Sequence, residues 1–364
     1  MLGTLVQGRV SVAGAGISVA KVALSIATKY AVRRRQFEAA PDTEEQLLLD
    51  YGLHQRRLLP LIARTYALHF AQDEVRAQLH EVFSGIEDDA QARRRLESRA
   101  AGIKALGTWH ATGVVQECRE ACGGAGYLAV NRFAALKGDS DVFTTFEGDN
   151  HVLLQLVGKG LLTDHASEFE DLDQLGMVRY VTGLAVETVI ERTSAHKLLE
   201  RVRDLLPGGD EWDREAGLLD SEYQLAMVRF REEHMLAGLA RRIKRGIDQK
   251  RDPGAVFSQV QDHVIAVARA HVERLVTEAF VDKVRGLPEG EKTALALLCD
   301  LFALSTIEAD RAWFMEHGRL TVQRSKAISR EVNDLCRKVR PLAVDLVDAW
   351  GIPAAMLRAP DLVG

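Results

Sequence analysis

The stretch Cys118–Leu161, CREACGGAGYLAVNRFAALKGDSDVFTTFEGDNHVLLQLVGKGL, decides how the rest of the chain is read. Its opening residues read as the end of a helix, and the run after Asn150 has the apolar spacing of a buried one. Between them Gly138, Asp139, Ser140 and Asp141 break the helical pattern. Asp149 and Asn150 can cap the following helix by accepting its free N–H groups. Glu147, an exposed-looking carboxylate, is therefore expected in a loop between two helices, close to a helix N-terminus. A lone acid in that place suits a solvated cap as well as it suits a general base, so these residues alone leave both readings open.

Working outward, the 364 residues are 47% hydrophobic, enough for one large core or two ordinary domains. A formal net charge of -5, with only short basic runs, gives no nucleic-acid footprint. Four cysteines in this length make a disulfide framework an unsuitable reading. Cys118 and Cys122 lie one helical turn apart and read as reduced core thiols. The N-terminus lacks signal-peptide order, since Arg9 follows the apolar start, and no uncharged run reaches the length of a membrane span. A cytoplasmic protein is expected.

The chain in order gives helix after helix. Residues 2–37 read as a strand-like or loop start and then a long helix, with Val12, Gly16, Val19, Ala23, Ile26 and Tyr30 near one face. Arg33, Arg34 and Arg35 close it, where positive charge complements the helix dipole. Gly14-x-Gly16 and Gly124-x-Gly126 imitate a dinucleotide fingerprint. The first has Val19 in its third place and the second follows a helix rather than a strand, so close helix packing and a helix-ending turn are expected instead. Residues 46–83, kinked or restarted at Pro60, and residues 90–121 complete a three-helix bundle, with Arg93–Arg95 on a wet face and Trp109 and His110 at the core. The composition turns acidic from Thr163, which marks the boundary between two helical subdomains, 1–165 and 166–364. In the second, Pro207–Asp213 reads as a loop following a helix through Val202. Glu232-Glu233-His234 and the His263/His271 pair lack the partners that a metal site requires, and no metal is expected. No βαβ rhythm occurs, and the fold class is all-α.

Taken together, Gln116–Leu128 (QECREACGGAGYL), Thr144–Asn150 (TTFEGDN), Val32–Phe37 (VRRRQF), Ala303–Gly318 and Val347–Leu357 resemble the flavoprotein acyl-CoA oxidases, and more distantly the acyl-CoA dehydrogenases. The likeness runs almost end to end but covers only the C-terminal helical part of such an enzyme. It has no counterpart of the first helical domain and the β-domain that precede that part. The resemblance makes residues 1–165 the bundle with the catalytic loop and 166–364 the terminal helical domain. It implies FAD as cofactor, acyl-CoA as substrate and a homodimer. It also implies a separately encoded or lost N-terminal flavoprotein half, without which the chain is expected to bind FAD weakly and to be inactive.

The same resemblance assigns roles to individual residues. Glu147 is the base; among the substrate-binding residues, Phe146 walls off water beside it and Gly148 lets the backbone approach the acyl chain. Arg34 reaches the diphosphate of a flavin bound mainly by the neighbouring subunit, with Gln36 and Phe37 against the cofactor. Cys122, Gly123 and Gly124 lean on the flavin, and Asp149 lies near its adenine end. Glu38 stands where glycine is usual, and Glu120 where the dehydrogenases have glutamine, as in the oxidases. The implied reaction turns acyl-CoA into trans-2-enoyl-CoA in fatty acid beta-oxidation. It requires a carboxylate base against the substrate, and desolvation in a closed cleft raises a carboxylate's proton affinity. The long second subdomain favours the oxidase over a dehydrogenase that uses an electron-transfer partner. The rival from another class is a non-catalytic helical partner or regulatory remnant.

Overall fold

The computed structural model describes residues 2–87, 89–170, 217–288 and 292–363. They are overwhelmingly helical. Helix α1 spans Leu2–Ala31 and starts without the strand-like opening expected from the sequence. One row of buried positions, Val6, Val10, Ala13, Ile17, Ala20, Leu24, Ala27 and Ala31, alternates three and four apart as one helical face must, with Ala23 and Ile26 buried beside it. Of the stripe read from the sequence, Gly16, Ala23 and Ile26 are buried, whereas Val12, Val19 and Tyr30 are only half-buried. Alanines set the inner face because they let another helix come close.

That other helix is α3 (Ala90–Ala121), on which α1 packs most extensively; α2 (Gly52–Phe83) completes the bundle. A Cβ on Gly16 would lie 3.4 Å from Thr108, Gly107 faces Ala13 and Ile17 across the same seam, and Arg9 reaches Glu97 earlier on both helices, so α1 and α3 run parallel. The Gly14–Gly16 pair is thus a packing seam. Pro60 sits inside α2, which continues through it. Asp89 caps α3 by accepting from the N–H groups of Gln91 and Ala92, both at 2.7 Å. Arg93, Arg94 and Arg95 are exposed, with Arg95 paired to Glu87. By length and hydropathy alone α1 could cross a membrane over Leu5–Ala31. Here 56% of its apolar window is buried in the protein, as in a core helix.

Two local expectations change. The three arginines do not close α1. The helix stops at Ala31, and Arg35–Glu38 forms a strand, β1, paired antiparallel with β2 (Glu45–Leu47). Phe37 and Asp42 take left-handed backbone angles, φ 62° each, which turn the chain back. Gly138–Asp141 likewise do not break a helix. They form the end of α5 (Phe133–Asp141), which follows the short helix α4 (Gly123–Tyr127). Thr112 donates to Asp141 from α3, so the polar run ties the end of α5 to α3.

Helix α6 covers Asn150–Glu170, so the acidic stretch from Thr163 is helical as far as Glu170. Then come α7 (Ser221–Asp248), α8 (Pro253–Gln259), α9 (Gln261–Arg285), α10 (Lys292–Ala309), α11 (Arg311–Glu316), α12 (Val322–Val339), α13 (Ala343–Asp348), α14 (Ala354–Leu357) and α15 (Pro360–Val363). The expected loop at Pro207–Asp213 and the helix through Val202 lie outside the described residues.

The chain forms two compact units. One comprises Met1–Leu153, Leu275–Ala303 and Val332–Gly364; the other comprises Leu154–Arg274 and Leu304–Glu331. In the first, Tyr66 donates to the Leu346 carbonyl at 2.6 Å and packs its ring on Trp350, fastening α13 to α2. In the second, Leu239, Val260, Val264 and Val267 centre a core with Leu161, Met235 and Phe257. Gly158 packs against Val264 there. Buried Arg231 pairs with Glu273 at 2.6 Å and with Asp310, while Glu232 binds His271 at 2.8 Å and Arg274. Burial works to raise the Glu232 carboxyl, but the hydrogen bond and charge of His271 and Arg274 hold it below the usual carboxylate range. The glutamate of the Glu-Glu-His run is thus an ion-pair member.

Candidate active site

The loop of residues 145–149 sits between a 3-10 turn at Val142–Thr144 and the start of α6. Asp149 caps α6, its Oδ1 accepting from the N–H groups of His151 at 2.9 Å and Val152 at 3.3 Å. Glu147 takes φ 58° and Gly148 φ 113°. A left-handed angle at a residue with a Cβ costs on the order of 1–3 kcal/mol, so its surroundings must hold it there. Three contacts do so. Arg9 Nε of α1 donates to the Glu147 carbonyl at 3.3 Å. Lys104 Nζ of α3 donates to the Gly148 carbonyl at 2.7 Å and to Asn150 Oδ1 at 2.9 Å. Asn150 in turn donates to Thr108 Oγ1 and the Ala105 carbonyl.

The Glu147 side chain is half-buried rather than exposed, and its carboxyl group rests against Gly8 of α1. Any Cβ at position 8 would overlap that carboxyl group. One carboxylate oxygen, Oε2, is buried with no hydrogen-bond partner among the described residues. Arg9 is itself buried and reaches Glu97 at 3.6 Å. Lys104 is fully buried, and burial pulls its pKa down to about 8, with Asp149 and Glu147 opposing and Arg9 assisting. The result is a carboxylate on a rigid loop, its backbone gripped by cations from two helices.

The other residues assigned from the sequence gather elsewhere. Helix α3 ends at Cys122, and Gly123 turns with φ 57°. Gly126 lies so close to the Arg119 carbonyl that no Cβ would fit. Gly123 and Gly124 face open space, while Cys122 is buried and its thiol pushed up to about 12 by burial. Arg34 is exposed and has no ion pair among the described residues, whereas Arg35 is held by Glu44 at 3.1 Å. Gln36 and Phe37 are exposed, their carbonyls accepting from Tyr51. Glu120 pairs with Gln116 at 2.6 Å. Phe146 is 58% exposed, and the Cβ position of Gly148 abuts Leu153.

Because α1 and α3 are parallel, Arg34 and the glycine turn share one end of the bundle, and Glu147 lies toward the other. At 1.5 Å per residue, Gly8 and Ala31 are roughly 35 Å apart along α1. No small ligand touches both groups within one chain.

Comparison with known proteins matches this architecture. Residues 2–162 match the family model of the acyl-CoA oxidase C-alpha1 domain, and residues 220–360 match that of acyl-CoA oxidase. The chain belongs to the acyl-CoA oxidase family. It is 34% identical to the peroxisomal acyl-coenzyme A oxidase 2 of Arabidopsis thaliana over 99% of this chain and 50% of that protein. The solved acyl-CoA oxidase 1 of Yarrowia lipolytica superposes with a TM-score of 0.82 at 28% identity, covering 98% of this chain and 51% of that one. Acyl-CoA oxidase-1 of Caenorhabditis elegans, solved in complex with FAD and ATP, shares the fold with a TM-score of 0.79 at 21% identity, covering 97% and 51%. The chain thus spans about half the length of the oxidases it matches, and corresponds to their C-terminal helical part.

Reading the sequence as an oxidase placed Glu147, Gly148 and Asp149 in one loop but missed Gly8, Arg9, Lys104 and Asn150 around it. Only Asn150 carried a signal, as a helix cap. The others belong to helices whose partners no spacing reveals.

Proposed function

We propose that this chain carries the base of an FAD-dependent acyl-CoA oxidase, converting acyl-CoA to trans-2-enoyl-CoA in fatty acid beta-oxidation. Glu147 removes the proton alpha to the thioester carbonyl. Its held left-handed backbone, with a carboxylate oxygen that has no partner among the described residues, carries this reading: a base must be fixed in place and its lone pairs left unengaged. Asp149, by capping α6, keeps the loop at the helix N-terminus, and Gly148 supplies a φ 113° turn against Leu153 that leaves no space for a side chain. Phe146, exposed in this chain, closes over the acyl chain when the site is complete.

At the opposite end, Arg34, Gln36, Phe37, Gly123 and Gly124 offer an unpaired guanidinium, an exposed ring and open backbone, which suit a diphosphate joined to flat heterocycles. They would hold FAD with buried Cys122 behind them. Bound FAD supplies the hydride acceptor and the route to dioxygen. Since the two ends are roughly 35 Å apart, each site takes its base from one chain and this cofactor face from another, which supports a homodimer. The remaining walls come from a flavoprotein half, on the same polypeptide or another. We place this work in the cytoplasm or the peroxisome, the compartment named for the Arabidopsis relative.

The test uses the complete oxidase. Glu147→Gln should keep flavin and lower kcat by at least about 1000-fold, within the range of general-base effects. Arg34→Ala should weaken flavin binding. Hybrid dimers of the two variants should regain one intact site, hence up to half the wild-type turnover. Unchanged turnover in Glu147→Gln removes the base, and hybrids no better than either parent remove the shared site.

A further inference from the structure

Resting on the reading of Glu147 as the base, we infer that Lys104 is the positioning residue that sets its carboxylate, acting through the Gly148 carbonyl and Asn150. A fully buried ammonium needs acceptors on every proton it can direct. Lys104 finds two of them immediately after Glu147, at 2.7 Å and 2.9 Å. Neither is needed to start α3 or α6, since Asp89 and Asp149 cap those helices. The bonds instead fix the peptide that follows the base, while Arg9 fixes the carbonyl of the base itself.

The groups facing this ammonium are Arg9 from α1 and Glu147 and Asp149 from the loop, with neutral Asn150 beside it and Thr108 bonded to Asn150. Two negative charges keep it protonated, whereas burial and Arg9 favour its neutral form. A pKa lowered to about 8 means that the grip loosens in mild alkali, when one donor proton and the positive charge are lost. The inward lysine thus links the geometry of the base to pH through the backbone of its loop, and Lys104 itself has no part in the chemistry.

Two measurements test this. In the complete oxidase, Lys104→Met should lower kcat about 10- to 100-fold, the scale of a misplaced reacting group. Flavin content and the KM for acyl-CoA should stay near wild type. Lys104→Arg should restore part of kcat and move the alkaline fall in kcat above that of wild type. In the 364-residue chain alone, the Gly148 amide and the Asn150 side-chain amide resonances should titrate near pH 8 and stop titrating in Lys104→Met. Wild-type kcat in Lys104→Met, loss of kcat only together with flavin and melting temperature, or resonances that do not titrate would each overturn the assignment. If turnover survives Glu147→Gln, the functional reading fails first, and the amide titration then decides the grip on the loop by itself.

Discussion

Gly8 puts the carboxylate of Glu147 where it is. A helix interior disfavours glycine by about 0.5–1 kcal/mol relative to alanine, so a methyl group there should help α1. The same methyl would occupy the space of the Glu147 carboxyl group, the movable end of a side chain, so the fold gives way little. Gly8→Ala should therefore raise the melting temperature by a degree or a few, about what such an energy does for a domain of this size. In the complete oxidase it should lower kcat about tenfold or more. Calorimetry and steady-state kinetics on one preparation check both; unchanged kcat would mean that the working carboxylate does not lie against α1. None of this could be read in the sequence. Glu147 was placed correctly between helices because polar residues and a cap surround it, but Gly8 lies 139 residues away, and Arg9 138. Lys104 looked like any surface lysine within an alanine-rich helix. Only the parallel packing of α1 on α3 turns it inward.

Helices α2 and α3 are joined by a polar contact inside their seam. His110, fully buried on α3, shares a 2.8 Å hydrogen bond with Thr65 of α2. Burial, with Arg64 adding to it, pulls the imidazole down to about 3, so the folded bundle holds it neutral. The unfolded chain binds that proton from about pH 6.5 downward, so the unfolded state takes up more protons between the two values. Stability should therefore fall as pH drops through that window. The full effect of this one residue is roughly 4–5 kcal/mol, reached only near pH 3. Denaturation of wild type and His110→Gln between pH 7 and 4 checks this: the variant should lose less on acidification, and parallel curves would show that His110 does not contribute. The existence of these long helices was legible from their apolar period. The hairpin at Arg35–Leu47 and the helix at Phe133–Asp141 were not. The arginine run suits a helix end by charge, yet the left-handed turns at Phe37 and Asp42 override it. Polar Asp139–Asp141 suit a loop by propensity, yet contacts from α3 hold them helical.

At the scale of the whole molecule, the proposed function gives the chain one face for each ligand. A flavin enclosed on a single side loses a large part of its buried contacts, and each 1.4 kcal/mol forgone is tenfold in affinity. The purified 364-residue chain should be colourless and should not bleach added FAD on mixing with acyl-CoA. A yellow preparation that acyl-CoA bleaches would show that this half suffices.

The same unit has a further property, set by its connectivity. Arg132, itself at φ 74°, donates to the carbonyls of Met356 and Leu357, and Asn131 receives the N–H of Asp361. The glycine turn is thus fastened by a segment 224 to 230 residues further along the chain. At translation rates of roughly 5–20 residues per second, that segment leaves the ribosome on the order of ten seconds or more after the turn has emerged. During this interval α1, α2 and α3 can associate through contacts near in sequence, while the surfaces awaiting α13 to α15 stay bare. Long-range closure is the slow part of such folding. A nascent chain of this design therefore passes through a stage with an open apolar flank, which lasts until residues 343–363 emerge and close it.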